Sequence, residues 1–181
     1  MIKKEHQTWI ESGYLLFALK GPDALKVEVL AKETGVSKSS FYYHFVDVHT
    51  FIDKLLAYHV EQVKRLSEAE RACEQFDPAV IDVMVTHKVD LLFNRQVRVN
   101  RGEKRYEDCL QTCRQVAGDS FYTLWSKDVN LAIDKQQLAS IYYLALENFY
   151  LRITFENFTK AWLTQYFAEL KKVLHEIQGR K

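Results

Sequence analysis

Between Lys38 and His44 six of seven consecutive residues carry a side-chain hydrogen-bond donor: Lys38, Ser39, Ser40, Tyr42, Tyr43 and His44. Phenolic hydroxyls and ammonium groups are typical phosphate contacts that set register without reading sequence. Ser39 and Ser40 are small enough to permit close approach, and their hydroxyls donate or accept. Phe41 and Phe45, four apart, would pack inward if this stretch were a helix, leaving Lys38, Ser39, Tyr42 and Tyr43 outward. Ser37 is placed to start that helix, because its hydroxyl can accept from backbone amides two or three residues on.

These groups need elements to aim them. Leu25 to Phe45 reads as a short amphipathic helix, a tight turn at Gly35-Val36-Ser37 and a second short helix. A sequence-specific DNA reader requires that layout: one helix braces the backbone while a thin second helix enters a major groove about 12 Å wide. A preceding helix runs from about Lys4 to Lys20, with Trp9, Ile10, Gly13, Leu16 and Phe17 on one face. Gly21-Pro22 ends it. The next helix buries Val27, Leu30 and Ala31. Asp47 then caps a long helix with Phe51, Leu55, Tyr58 and Val63 inward.

At Ile10, Gly13, Leu16-Phe17, Gly21, Leu30-Ala31, Gly35-Val36-Ser37, Phe41-Tyr42 and Phe45 the chain resembles the TetR family of bacterial transcriptional repressors. The resemblance covers about residues 4–60 and rests on the combined spacing. It implies that Lys38, Ser39 and Ser40 face base edges, while Lys26, Tyr42 and Tyr43 hold phosphates. With Ser37 and His44 these make up the expected DNA-binding set; His44 is either a phosphate ligand or a residue at the edge of the core. Lys26 stands where the family usually has threonine, and Val48-His49 where it often has lysine.

Beyond about Glu68 the pattern stays helical without the family's motifs. Asp77-Pro78 opens a helix through about Phe93. Arg95 to Lys104 reads as a loop or ragged helix end, with Arg95, Arg98, Arg101, Lys104 and Arg105 solvated. Helices follow from Tyr106 to Ala117, closed by Gly118, and from Ser120 to about Val129. Asp134 with Gln137 forms a capping box for a helix to about Glu156, and Thr159 caps the last, to about Ile177. The expected fold is all-α, with about nine helices. A three-helix domain, residues 1–46, would carry the helix-turn-helix; residues 47–181 would form a helical ligand-binding and dimerisation domain with the long helix as connector.

The last two helices are apolar on more than one side and so need burial on more than one side. Leu138, Ile141, Tyr142, Ala145, Phe149 and Ile153 form one stripe, Leu144, Leu151 and Phe155 a second. The family dimerises through its last two long helices, which implies an interface of Phe149, Ile153, Trp162, Leu163, Tyr166, Leu170 and Leu174. The resemblance further implies a small-molecule effector. Phe93, Tyr106, Phe121, Tyr122, Trp125, Tyr142 and Phe149 could line its pocket or simply build the core.

Bulk properties narrow the alternatives. The 181 residues carry a net charge of +1, and residues 1–60 hold seven Lys/Arg against seven Asp/Glu. DNA binding would thus depend on local cations, Lys3, Lys4, Lys26 and Lys38, rather than on a basic domain. No apolar run approaches the roughly 20 residues of a membrane span, and the first residues lack a secretory core, so a cytoplasmic location is expected. Cys109 and Cys113 share a helical face, as small buried residues or as a redox or metal sensor. No zinc-type spacing, cofactor motif or catalytic constellation is present. The expected function is a ligand-responsive regulator, a repressor, binding a palindromic operator as a homodimer. The competing readings are a helix-turn-helix scaffold serving as a protein-interaction module and, behind it, an all-helical enzyme.

Overall fold

The computed structural model describes residues 2–179, with side chains from Lys4 onward; the Lys3 cation lies outside the described side chains. Within that range there are ten α-helices and no strand. They are α1 (Ile2–Lys20), α2 (Val27–Thr34), α3 (Lys38–His44), α4 (Val48–Arg71), α5 (Ile81–Thr86), α6 (Lys88–Val99), α7 (Lys104–Ala117), α8 (Ser120–Val129), α9 (Lys135–Arg152) and α10 (Lys160–Gln178).

The caps explain most of the boundaries. Gly35 ends α2 with φ 69°, a left-handed conformation that favours glycine. Ser37 Oγ accepts from Ser40 N at 3.3 Å, Asp47 Oδ1 from Thr50 N at 2.7 Å, Asp134 Oδ1 from Gln137 N at 2.9 Å and Thr159 Oγ1 from Trp162 N at 3.3 Å. Each side chain accepts from an amide of the first helical turn, where N–H groups lack the usual partner four residues back; the Ser40 amide is shared with the Ser37 carbonyl at 3.0 Å.

Three expectations about the middle and end of the chain need correction. The helix anticipated from Asp77 to Phe93 is two helices, because His87 interrupts it. The chain enters the first of them through a wide turn, Phe76–Val80, with extended backbone at Asp77. The second does not stop at Phe93 but runs to Val99, so Arg95 and Arg98 are helical rather than in a loop; buried Val97 holds the extra turn in place. Finally, α9 ends at Arg152, short of Glu156. Asn157 closes it by donating to the Arg152 carbonyl at 2.8 Å while its Oδ1 accepts from Thr154 N at 2.8 Å.

The described chain forms two compact units. The first comprises residues 2–64 with Val89–Val116. Its core is an aromatic run: Trp9 meets Phe41 edge-on at 5.4 Å, Phe41 and Phe45 lie 5.2 and 4.7 Å from Phe51, and Phe93 stacks on Tyr14 at 4.3 Å and Phe17 at 4.2 Å. Gly13 lets α1 approach α4 closely. A Cβ there would run into the Phe51 ring, 2.6 Å from Cε1.

The second unit comprises Arg65–Lys88 and residues 117–179. Phe76, Val80, Ile81, Met84, Phe149, Ile153, Phe158 and Leu163 are buried in it. A polar cluster sits among these apolar groups. Ser120 donates to Glu70 Oε2 at 2.8 Å, Ser67 donates to the Ala117 carbonyl at 2.6 Å, and Arg71 donates to Ser67 Oγ at 2.6 Å. Burial pushes the Glu70 carboxyl above its ordinary pKa, with the Ser120 hydrogen bond pulling the other way.

Candidate nucleic-acid interface

Helix α3 is short because Ser37 starts it and Phe45 leaves helical geometry, with φ −136° and ψ 130°. Phe41 and Phe45 are buried and fasten it to the first unit's core, whereas Tyr42 is 58% and Tyr43 71% exposed. Lys26 is the N-cap residue of α2, but its ammonium carries no acceptor and cannot cap the helix; the side chain is exposed. Lys26, Ser37, Lys38, Ser39, Tyr42 and Tyr43 are all exposed on the first unit.

Two members of the expected set sit deeper. Ser40 is half-buried and donates its hydroxyl to Glu5 Oε2 of α1 at 2.8 Å. His44 is half-buried, its ring edge-on to His6 at 5.5 Å. Its Nε2 is buried without a hydrogen-bond partner. That placement is an edge-of-core position. Burial, then the nearby His44 and Lys54, lower the pKa of His6.

Carboxylates on this face were not anticipated. Lys38 Nζ pairs with Glu28 Oε1 of α2 at 2.8 Å. The Lys38 hydrogen bond holds the Glu28 carboxyl below its usual range. Ten residues and a turn separate the two, so no helical i,i+4 rule would have matched them.

Arg105, expected to be solvated, is instead held against α4. Its side chain is only 16% exposed and pairs with Asp53 at 3.4 Å. It donates to the His49 carbonyl at 3.3 Å and meets the His49 ring. Thus α7 grips the first turn of α4 immediately after the α3 segment. Arg98 is likewise engaged, donating to Asn94 Oδ1 at 3.1 Å.

The seven aromatic residues expected around an effector do not form one group. Phe93 and Tyr106 belong to the first unit; Phe93 is held there by Tyr14 and Phe17. In the second unit Phe121, Tyr122 and Trp125 of α8 surround Tyr142 of α9 at 6.3, 5.1 and 5.4 Å. Phe149 lies further along α9, against Tyr166 and Phe167 at 5.7 and 5.8 Å. A separate groove of about 790 Å³ is lined by Leu131, Ile133, Ile141, Leu174 and Ile177 with Gln136, Gln137 and Ser140, and none of the seven borders it.

Of the residues expected at a dimer interface, Phe149, Ile153, Leu163, Tyr166 and Leu174 are buried within the single chain. Trp162 and Leu170 are half-buried. The first five close the core of the second unit within the single chain, while Trp162 and Leu170 keep part of their surface exposed. The apolar groups left at the surface of this region are Tyr143, Leu144 and Leu151 of α9, Phe155 in the turn that follows it, and Val173 and Ile177 of α10.

Cys109 and Cys113 are buried on one face of α7, their sulfurs 4.0 Å apart. Among the described residues no group of three or more His, Cys, Asp or Glu is placed to hold a metal ion. No described helix is long and apolar enough to cross a membrane.

Residues 10–47 match the family model "Bacterial regulatory proteins, tetR family". The match begins within α1 and ends at Asp47, and so contains all of α2 and α3. No curated protein and no solved structure matches the chain.

Proposed function

Because residues 10–47 form a TetR-family helix-turn-helix, and the protein is accordingly a DNA-binding transcriptional regulator, we propose that it is a ligand-responsive repressor acting as a homodimer on a palindromic operator. The observation that carries this is α3. It is a thin helix whose Phe41 and Phe45 are buried while Lys38, Ser39, Tyr42 and Tyr43 are exposed. In this reading Lys38, Ser39 and Ser40 address base edges, and Lys26, Ser37, Tyr42 and Tyr43 set register on phosphates.

Residues 1–46 read DNA, and residues 47–181, which supply the rest of the first unit and all of the second, sense the effector and dimerise. The dimer forms through the exposed apolar face of α9 and α10, around Leu144, Leu151, Val173 and Ile177. A two-fold axis then sets two reading helices about 34–36 Å apart, one turn of duplex. The effector is a small molecule with flat or apolar character, and Phe121, Tyr122, Trp125 and Tyr142 are the lining that their gathering supports. It weakens operator binding only to the extent that it prefers the conformation that does not bind DNA. The working compartment is the cytoplasm.

Selection of duplexes from a random pool at controlled salt tests the reading. The expected result is enrichment of an inverted repeat, bound by two chains. Lys38→Ala and Tyr42→Phe should each weaken that binding, by about 1 kcal/mol or more, without altering the melting curve. Failure to enrich any sequence, with both variants unchanged, would leave a protein-interaction module as the better account.

A further inference from the structure

Resting on that reading, we propose that Glu28 and Glu5 are specificity-determining residues of the DNA-reading face, which they bias toward base edges and away from phosphates. The geometry is the Lys38 Nζ to Glu28 Oε1 pair at 2.8 Å, together with the Ser40 hydroxyl donated to Glu5 Oε2 at 2.8 Å. Two of the three side chains that this reading turns to base edges, Lys38 and Ser40, are therefore already held by a carboxylate from a different helix.

The consequence for each group follows from its valence. An ammonium has three donors. Glu28 takes one and offsets the charge, leaving two N–H groups that can still reach the neutral O6 and N7 acceptors of guanine. A phosphate gains less, because it must approach a pair whose net charge is zero and a carboxylate that repels it. Ser40 has a single proton, which Glu5 accepts. Its oxygen can then only accept, which suits the exocyclic amino groups of adenine or cytosine and excludes a phosphate oxygen.

Charge-driven binding to arbitrary DNA is what such pairing suppresses. Each phosphate neutralised by a cation adds about 0.9 to the slope of log affinity against log salt. Residues 1–60 already balance seven basic against seven acidic side chains, so releasing one lysine is a large relative change.

The test uses the full-length protein, a selected operator and a scrambled duplex of equal length, titrated over a salt series. Glu28→Gln keeps the shape and removes the charge. It should raise affinity for the scrambled duplex about tenfold at low salt and steepen its salt slope by about 0.9. Affinity for the operator should rise by about threefold or less, so the ratio between the two falls. In a Lys38→Ala background the same change should have little effect on either duplex. Glu5→Ala, which frees the Ser40 proton, should likewise narrow the ratio. Equal gains on both duplexes, or an undiminished gain without Lys38, would overturn the inference while leaving the repressor reading standing. Absence of duplex binding by the unaltered protein would overturn both.

Discussion

The Tyr14 hydroxyl of α1 lies 2.8 Å from His59 Nδ1 of α4 inside the first unit, and 2.9 Å from Asp90 Oδ1 of α6. Burial first, and then the Asp90 charge, push the tyrosine far above its ordinary pKa, so the phenol keeps its proton and donates it to Asp90. His59 must then donate from Nδ1, which leaves Nε2 unprotonated, and that nitrogen is buried without a partner. The ring is fully buried beside Phe93, at 4.6 Å, and desolvation holds its pKa down at about 3.

That histidine predicts how stability depends on pH. Its folded pKa lies below the unfolded value of about 6.5, so the unfolded chain binds the extra proton first as pH falls. The contribution is fully present above pH ~6.5 and is lost as pH drops toward 3. At its steepest the loss is about 1.4 kcal/mol per pH unit. Urea unfolding of the unaltered protein and of His59→Gln, at pH 7.5, 6 and 5, should show the gap between them closing as pH falls. A constant gap would mean that His59 titrates normally in the folded state.

Gly13 is required by the approach of α1 to α4 rather than by backbone conformation. Gly13→Ala would drive a methyl group into the fully buried Phe51 ring. Overpacking of this kind costs about 1–3 kcal/mol, despite the better helix propensity of alanine. A melting temperature unchanged or raised would show that Phe51 can move aside.

Arg105 ties α7 to the start of α4 through the His49 carbonyl and Asp53. Arg105→Ala should leave the second unit's stability unchanged and speed amide exchange at residues 48–53, measured by hydrogen exchange and mass spectrometry. Arg105→Lys should not restore protection, because an ammonium cannot span both acceptors in the way a guanidinium fork does. Uniform protection in all three proteins would reduce the contact to a surface ion pair.

Leu144 and Leu151, 74% and 70% exposed on α9, test the dimer face. On the proposed homodimer reading, sedimentation should give a dimer for the unaltered chain and a monomer for Leu144→Glu with Leu151→Glu. Circular dichroism should be retained, since neither side chain belongs to the single chain's core. A doubly substituted protein that still sediments as a dimer would move the interface elsewhere.

The helix-turn-helix was legible in sequence because its determinants are local. Gly35 at a left-handed position, Ser37 capping onto Ser40 and the Phe41–Phe45 spacing each act within a few residues. The caps at Asp47, Asp134 and Thr159 were readable for the same reason. The break at His87 and the continuation of α6 to Val99 were not, because periodicity cannot show which apolar side chains find a buried place.

What the amino-acid sequence determined by itself is the all-helical architecture and the polar face of α3. Capping chemistry and hydrophobic spacing work over three or four residues, and a single chain displays them completely. Tertiary structure alone decided the partners. It set Glu28 against Lys38, Glu5 against Ser40, Arg105 against the first turn of α4, and His59 between Tyr14 and Phe93. It also assigned Phe149, Ile153 and Leu163 to the interior and Leu144 and Leu151 to the surface. Such pairings depend on which helix faces meet once every element competes for the same core. That competition is global, and no window of sequence contains it.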